Sequence, residues 1–514
     1  MLTVWGFGKL ISWQNNLSTY ERKSVAATFS TQLEELERQS PHSSNLLKVL
    51  SFFDPESIPL EIIAEEVGDL VLECASDFSG TADDIAIRQG ATSEAESLIA
   101  LMRSPVQLQL AIQQLIDLSL TDYQDTKVAS TLRIHDLIQV VVHTRIGRKD
   151  MQYLWFQVAV VLVCNALQRI DDPTSYKSWA KCEILNPHIQ SLTKWDDKNT
   201  IGSHYLNEAN FKIASYMTSR GRYRDAELLY VRVLVSNENT LGADHQNTLW
   251  TVANLAVVYQ NQGRHKEAIL MLERVLAGKE KLYGNDDPYN MTTIEHLANT
   301  CLQLGQYDMA ERLYLRVLKV REDGLGVEHS ATLQTVHNLA GTYNLQGRHS
   351  EAETLYGQAL SGNAKAVGYD HHNTLSIKGD LAINYQLQGK CEKAEKLFRE
   401  VLVKTTELQG AEHPLTLTTL YNLAGTCSLQ ERYGEAETMY KQLLISYEKV
   451  LGVGHLNMLY TVRHLVALFE SRGAHDEAIA LQKRFSMVSY SSKPGSETPG
   501  SNLEHDFFFK CYMY

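Results

Sequence analysis

Hydrophobic and polar positions follow a helical spacing over residues 203 to 486, in pairs of segments separated by a turn. In the unit that starts at His329, apolar residues return every three or four positions, as on one face of an amphipathic helix. The pattern therefore predicts two helices in each unit, packed through their apolar sides. Leu333, Leu339, Ala340 and Tyr343 form this side of the first helix, and Ala352, Leu355, Tyr356, Ala359 and Leu360 form that of the second.

The same helix pair recurs along the chain with a period of 42 residues. The stretch NLAGTYNLQGRHSEAETLY begins at Asn338, and related stretches begin at Asn254, His296 and Asn422. Such periodicity is typical of a repeat architecture, in which each unit buries its apolar face against its neighbours. We predict seven helix pairs over residues 203 to 486.

One turn position and one helix position are nearly constant in this repeat. A glycine at the turn supplies the left-handed conformation that ends the first helix, and an alanine five residues later lets the second helix pack closely. Glu431 replaces the glycine in one unit, at a cost of about 1 kcal/mol, and we expect that turn to adjust locally. The glycines are Gly221, Gly263, Gly305, Gly347, Gly389 and Gly473, and the alanines are Ala226, Ala268, Ala310, Ala352, Ala394, Ala436 and Ala478.

A histidine recurs in the loop between successive helix pairs, as in LGVEH at residues 325–329. We expect the loop glycine to end one helix and the histidine to cap the next, with Pro288 and Pro414 at first helical positions. A metal site is the alternative, but successive imidazoles lie a full helix pair apart, too far to share a zinc ion with ligands at about 2.0–2.1 Å. The histidines are His245, His329, His371, His413 and His455.

The 42-residue unit, with its pattern NLA..Y..QG.Y.EAE..Y followed by LG..H, resembles the tetratricopeptide repeats of kinesin light chains. The resemblance covers residues 203 to 486. It implies antiparallel helix pairs stacked in a right-handed superhelix, whose first helices line a concave groove. In that family the groove binds extended peptides or partner helices, so a protein or peptide is the expected partner.

A polar position on the first helices is the candidate for peptide binding. Asparagine is a poor helix former, so its repeated use in mid-helix suggests a hydrogen-bonding task, and a side-chain amide can hold a peptide backbone. The position four residues later continues the same face. Structural hydrogen bonding within the stack is the alternative interpretation. The candidate residues are Asn254, His296, Asn338, Asp380, Asn422 and His464, with Thr342, Asn384 and Thr426 at the position four residues later.

The residues before the repeats show a different organisation. The stretch LLKVLSFFDPESIPLEII from Leu46 to Ile63 predicts a helix, a turn at residues 54–55 and another helix that opens near residues 58–59. Together with LAIQQLIDLSLTDYQ and LRIHDLIQVVVHTRI, it resembles the winged-helix module of STAND-type signalling ATPases of the NB-ARC class. In fungi that module is often joined to kinesin-light-chain-like repeats, and CEILNPHI from Cys182 is similar to the connector found there.

His135 is the residue that this second resemblance identifies. In the STAND family the histidine of a Met-His-Asp motif touches the phosphate of the bound nucleotide, and the matching tripeptide here is Ile134-His135-Asp136. The sequence has no phosphate loop, because its Gly-Lys pairs are not followed by Ser or Thr and lack the earlier glycine. His135 would therefore bind a nucleotide only if a nucleotide-binding domain is supplied, and helix capping is the alternative.

Composition and charge exclude several classes of function. The 514 residues are 44% hydrophobic and 21% charged, as in ordinary globular proteins. The formal net charge is -13, and carboxylates are concentrated between Asp54 and Glu96, in a segment that repels phosphate. The longest apolar run, Trp155–Leu167, is shorter than the roughly 20 residues that a membrane helix requires. We therefore expect no nucleic-acid partner, no membrane association and a buried helix at the apolar run.

Motifs that carry catalytic chemistry are missing from the sequence. It contains no HExxH, GxSxG or GxGxxG, so we expect no enzyme activity, no cofactor and no metal. Seven cysteines are scattered without a CxxC pair, which indicates reduced thiols and a cytoplasmic protein. Cys301 and Cys427 stand where other repeats have tyrosine, so they are expected to fill the core.

The sequence thus predicts an all-α protein, in which a right-handed superhelix of seven helix pairs follows a small winged-helix-like module. Its predicted function is a non-catalytic scaffold that binds a peptide or partner helix in the concave groove. The alternative is the regulatory or sensor part of a STAND-type signalling ATPase whose P-loop domain is missing or lies upstream. A motor-adaptor role is a third option, which the missing heptad coiled coil disfavours. The predicted segments are a partial helical lead-in at 1–40, the module at 41–148, connector helices at 149–202, the repeats at 203–486 and a disordered tail at 487–514.

Overall fold

The computed structural model describes residues 19–64, 93–125, 130–147, 149–199, 204–451 and 456–489. The described chain is almost entirely helical, as predicted, and a small three-stranded sheet is the exception. It divides into two units, Met1–Gln262 and Gly263–Tyr514. Several features named in the sequence lie outside the described residues. They are the opening stretch MLTVWGFGKL, most of the acidic segment, Cys74, Cys511, His455 and the tail from residue 490.

The N-terminal part of the first unit combines helices with an antiparallel sheet. Its strands β1 (Ile58–Pro59), β2 (Thr121–Asp125) and β3 (Ser130–Ile134) lie in the order β1-β3-β2. Strand β3 is therefore the central strand. It pairs Leu132 with Ile58 of β1 and Ile134 with Thr121 of β2. The helices are α1 (Thr19–Gln39), α2 (Pro41–Leu50), α3 (Leu60–Ala64), α4 (93–102), α5 (Pro105–Asp117) and α6 (Asp136–Ile146).

Ile58 and Pro59 form a strand, whereas the sequence predicted the start of a helix there. Helix α3 begins only at Leu60. Proline lacks a backbone N–H and is confined to the edges of sheets, and β1 is an edge strand of this one. The predicted turn is present, and Oδ1 of Asp54 accepts a hydrogen bond from the backbone N–H of Glu56 at 3.2 Å.

Two connector helices, α7 (Lys149–Gln168) and α8 (Trp179–Asn199), follow the sheet. Helix α7 contains the apolar run, and Phe156 within it is fully buried. The ring of Phe156 lies 4.4 Å from the ring of Trp195 on α8, so the two helices share a core. Among the described helices, only the stretch Met151–Gln168 is long and apolar enough to cross a membrane, and half of it is buried inside the unit. The prediction of a buried helix at this run is confirmed.

In the described residues that follow, helices recur with the predicted 42-residue period, and the apolar residues that the repeat pattern places inside are buried. The alanine of each second helix is at most 3% exposed in every repeat. In the first unit the repeat helices are α9 (His204–Ser219), α10 (Tyr223–Leu241) and α11 (Gln246–Asn261). In the second unit they are α12 (His265–Tyr283), α13 (Pro288–Gln303), α14 (Tyr307–Leu325), α15 (Ser330–Leu345), α16 (His349–Val367), α17 (His372–Leu387), α18 (Cys391–Gln409), α19 (Pro414–Leu429), α20 (Tyr433–Leu451), α21 (Leu456–Ser471) and α22 (His475–Ser489).

The loop histidines cap the first helices, as predicted. Nδ1 of His329 accepts a hydrogen bond from the backbone N–H of Ala331 at 3.2 Å, at the start of α15. The first N–H groups of a helix have no partner inside it, so this bond satisfies an otherwise unpaired donor. Asp287 takes the same role in the loop that lacks the histidine, at 2.8 Å. His245, His371 and His413 repeat the geometry, and Pro288 and Pro414 occupy the first turn of their helices.

The loop glycine ends the helix that precedes the same loop. Gly326 has φ +88° and ψ 161°, a region of backbone conformation that is essentially restricted to glycine. The buried hydroxyl of Thr332 donates a hydrogen bond to the carbonyl oxygen of Gly326 at 2.8 Å. The loop is thus tied to the helix that it precedes.

Glu431 keeps the geometry of the glycine that it replaces, so the predicted local adjustment is wrong. Its φ is +61°, in the same left-handed region as the +79° of Gly347. The backbone N–H of Arg432 donates to the carbonyl oxygen of Cys427 at 2.9 Å, and the equivalent bond at the Gly347 turn has the same length. The hydrogen bonds at the helix end hold Glu431 in this conformation despite its side chain.

Candidate peptide-binding cleft

A cleft of about 220 Å³ opens in the second unit, along three successive first helices, α13, α15 and α17. Most of its lining groups are polar and uncharged, and four of them are side-chain amides. Two leucines and a tyrosine add apolar surface. This amide cleft is lined by Asn299, Leu302, Tyr314, Gln334, His337, Asn338, Gly341, Leu345, His372, Asn373, Ser376 and Asp380.

Asn338 lines the amide cleft with a half-buried side chain. Its Oδ1 accepts a hydrogen bond from Nε2 of Gln334, one helical turn earlier, at 3.1 Å. Among the described residues, none accepts a hydrogen bond from Nδ2 of Asn338. A side-chain amide in this state has a donor for the backbone carbonyl group of a ligand.

His337 and Asp380 connect two first helices at the wall of the amide cleft. Nε2 of His337 lies 2.6 Å from Oδ2 of Asp380, and each side chain is only 12% exposed. An ionised carboxylate is an acceptor only, so Nε2 of His337 carries the proton. The imidazole also makes an edge contact with Tyr356, at 5.8 Å between ring centroids, which keeps the ring in place.

Glu295 on α13 occupies the repeat position equivalent to that of His337 on α15. Its carboxylate forms a salt bridge with Arg321. Arg321 donates to both carboxylate oxygens of Glu295, at 2.6 and 2.7 Å, and to the hydroxyl of Thr335 at 2.7 Å. The two side chains are 13% and 16% exposed. A bidentate pair of this kind compensates the charge of both partners locally.

Three of the predicted peptide-binding residues, Thr342, Asn384 and Thr426, are fully buried. The two threonines donate to backbone oxygens four residues earlier in their own helices, at 3.0 and 2.8 Å. Nδ2 of Asn384 donates to Oδ1 of Asn344 at 3.0 Å and to the backbone oxygen of His349 at 3.1 Å. These three side chains therefore form hydrogen bonds within the helix stack, which was the alternative interpretation of the sequence. A ligand would not reach them in this structure.

The remaining predicted residues outside the amide cleft occupy other repeats. Asn254, in the first unit, donates from Nδ2 to the backbone oxygen of Trp250 in its own helix at 3.0 Å. Asn422 is 8% exposed, whereas His296 and His464 are exposed. Of the residues predicted from the sequence, the amide cleft therefore contains Asn338 and Asp380.

Other lining residues were missed by the sequence reasoning. Gln334 lies four residues before Asn338, so the helical spacing that identified one could have identified the other. His372 and Asn373 belong to the first turn of α17, where the loop pattern directs attention to capping. His337 gives no repeat signal, because the same position in neighbouring repeats is occupied by unrelated residue types.

Carboxylates on the second helices link successive repeats of the second unit. Nε2 of Gln346 and Nη1 of Arg348 each donate to Glu311 of the preceding repeat at 2.8 Å. Nη1 of Arg432 donates to Glu395 at 2.6 Å, and this bond is the main reason that the pKa of Glu395 falls to about 2. The repeats that form the amide cleft are thus held together by polar hydrogen bonds as well as by the hydrophobic core. The same arrangement recurs at Glu353, with Gln388 and Lys390.

His135 lies at the start of α6, just after β3. Its Nδ1 accepts a hydrogen bond from the backbone N–H of Leu137 at 3.1 Å, and its side chain is exposed. Burial raises the pKa of the neighbouring Asp136 carboxyl. The arrangement is that of a helix cap, and a nucleotide contact by His135 stays a prediction.

Cys301 and Cys427 fill the repeat core, as predicted, with exposures of 1% and 0%. Burial raises the pKa of the Cys301 thiol to about 11, so this thiol is protonated at neutral pH. Within the described part of the chain, no group of three or more His, Cys, Asp or Glu side chains could hold a metal ion.

Two family models match the chain. The model described as tetratricopeptide repeat matches residues 205–281, 289–365, 332–402, 373–444 and 416–484. A domain of unknown function, DUF7779, matches residues 34–151, which include the three-stranded sheet. No curated protein matches the chain.

Several solved structures are similar to parts of the chain. The TPR-like repeats of a Podosopora anserina protein described as a kinesin light chain are 27% identical, cover 39% of this chain and 95% of their own, and give a TM-score of 0.37. BtubC (BKLC) from P. vanneervenii is 21% identical, with 46% and 97% coverage and a TM-score of 0.38. A signal transduction ATPase of the STAND class with a tetratricopeptide repeat sensor, from Pyrococcus horikoshii, is 13% identical, with 89% and 64% coverage and a TM-score of 0.43.

Proposed function

Because this chain belongs to the tetratricopeptide repeat family, we propose that it is a non-catalytic scaffold that binds an extended peptide segment of a partner protein in the amide cleft. Repeats of this family serve protein–protein interaction. The observation that carries the proposal is the lining of the cleft, where amide and imidazole groups from successive first helices share one open site.

The chemistry of the lining suits a peptide backbone. Each peptide residue offers one N–H donor and one carbonyl acceptor, and a side-chain amide offers both partners. The apolar surface of Leu302 and Leu345 lets a ligand also bury a side chain. A volume of about 220 Å³ accommodates only a short stretch of ligand, so the rest of the partner would continue along neighbouring first helices.

An extended segment suits the amide cleft better than a partner helix. A helix satisfies its own backbone N–H and carbonyl groups, so it has no use for a row of amide side chains. An extended segment cannot pair its backbone N–H and carbonyl groups with one another, so the host must supply partners for those that lose contact with water. Asn338, with its donor free of partners among the described residues, supplies one.

The test is selection of random octapeptides, displayed on phage, by the purified full chain. Gln334→Trp would fill the amide cleft from an exposed lining position, and Thr354→Trp places the same indole side chain on an exposed position of a second helix. Peptides enriched by the unmodified protein should be retained by Thr354→Trp and lost with Gln334→Trp. Equal retention by both variants, or no enriched peptide at all, would overturn the proposal.

A second candidate is the regulatory or sensor part of a STAND-type signalling ATPase. It is supported by the order of elements in the first unit, where helices α4 and α5 are followed by the antiparallel hairpin of β2 and β3, with His135 just beyond it. Reading the full-length transcript upstream of Met1 tests this candidate. An in-frame strand followed by GxxxxGK[ST] would support it, and a stop codon would exclude an upstream P-loop domain in the same chain.

A further inference from the structure

We infer that the amide cleft selects a peptide segment with one positive charge, which pairs with Asp380. The charge would come from a lysine or arginine side chain or from a free amino terminus. This inference rests on the proposed function and specifies the ligand of the same site. It depends on what surrounds the carboxylate and on the absence of lysine and arginine from the lining.

Asp380 introduces a carboxylate where the repeat otherwise places neutral groups. The equivalent position on the neighbouring first helices is Asn338 on one side and Asn422 on the other. Among the residues that line the amide cleft, Asp380 alone has a carboxylate, and none is lysine or arginine. The repeat pattern predicts asparagine at this position, so the carboxylate of Asp380 is a specific feature of this repeat.

The carboxylate is nearly desolvated and only partly satisfied. The side chain of Asp380 is 12% exposed, and its Oδ2 accepts the hydrogen bond from His337. No other described residue donates to Asp380. An ionised carboxylate can accept several hydrogen bonds, and a charge with little access to water is costly unless it is paired. A cationic group in the amide cleft would provide the missing partner.

Nearby cations are already engaged elsewhere. Arg321 is bound bidentately by Glu295. Lys378, on the same helix as Asp380, lies 3.8 Å from Glu400 and 5.7 Å from the ring centre of Tyr369. The imidazoles of His337 and His372 are the titratable groups that share the lining with Asp380. The amide cleft therefore presents a carboxylate with no lysine or arginine in its lining, which favours a cationic ligand and disfavours an acidic one.

The octapeptide selection tests this inference when it is repeated with Asp380→Asn and with Asp323→Asn. Asp323 is an exposed carboxylate on second helix α14 and does not line the cleft, so its variant makes the same change of charge elsewhere. The unmodified protein and Asp323→Asn should enrich peptides whose positive charge comes from one lysine or arginine or from a free amino terminus. Asp380→Asn should lose this preference. Binding measurements on the enriched sequences, made as synthetic peptides with free and with acetylated amino termini, separate these two sources.

A measurement on the unmodified protein avoids any effect of the variant on folding. Replacing the basic residue of a selected peptide by norleucine, which keeps the aliphatic chain, should weaken binding by about tenfold or more, as expected for loss of a charge-assisted hydrogen bond. The inference is overturned if the enriched peptides are neutral or acidic, if Asp380→Asn keeps the preference, or if norleucine binds equally well. Neutral enriched peptides would leave the proposed function standing, whereas no enriched peptide would overturn both.

Discussion

Nε2 of His337 lies 2.6 Å from Oδ2 of Asp380, and this hydrogen bond connects helices α15 and α17 of successive repeats. The bond fixes the tautomer of the imidazole and the orientation of the carboxylate. It therefore couples the stability of the second unit to the shape of the amide cleft, since the same two side chains line the cleft.

Replacing His337 by alanine should destabilise the second unit. Asp380 would keep a charge with little access to water and lose its described donor, at a cost of about 1 to 3 kcal/mol in the free energy of unfolding. Urea unfolding followed by circular dichroism measures this loss. His337→Gln keeps an N–H donor and should lose less, and an equal loss in both variants would assign the effect to ring packing against Tyr356 instead.

Ala352→Leu should loosen the stack around α16. Ala352 is fully buried between the helices of its pair, so three added carbon atoms must displace neighbours, at a cost of about 1 to 3 kcal/mol. Ala366→Leu makes the same change at an exposed position of the same helix and should change the melting temperature little. Identical melting temperatures for the two variants would contradict the close packing at Ala352.

Glu431→Gly should stabilise the protein. At φ +61° a glutamate bears a steric cost that glycine does not, worth roughly 1 kcal/mol. Glu431→Ala removes the same side chain without relieving the backbone, so the difference between the two variants isolates the conformational effect. Thermal unfolding provides the comparison, and an alanine variant as stable as the glycine variant would show that the left-handed backbone costs nothing there.

Acid should weaken the contacts between repeats through Glu395. The hydrogen bond from Arg432 holds the pKa of Glu395 at about 2, below its usual 4.5. Because the pKa is lower in the folded state, the stabilising contribution is fully present above pH 4.5 and is lost as the pH falls towards 2.

The Glu395→Gln variant tests this dependence, since it has no carboxylate to protonate at that position. Its melting temperature should fall less steeply than that of the unmodified protein over the acid range. Glu431→Gln, which alters a carboxylate for which no ion pair with a described residue is found, should follow the unmodified curve. Parallel curves for all three proteins would exclude Glu395 as a source of acid sensitivity.

The sequence by itself determined the repeat, its register and its turns. A glycine with a left-handed backbone and an alanine in a tight contact are demands of local geometry, and seven copies of one unit make such demands visible in a single chain. The capping histidines were also predictable, because a cap acts within two residues of its own position in the chain.

Only the tertiary structure decided which polar side chains can meet a ligand. Asn338 and Asn384 both lie on the predicted face, yet one lines the amide cleft and the other is enclosed by Asn344 and His349 of the preceding repeat. Helical spacing assigns a side chain to a face, but the neighbouring helix determines whether that face is covered. The strand at Ile58 needed a partner more than seventy residues away, and His337 needed Asp380 from the next repeat, so neither contact leaves a local pattern in the sequence.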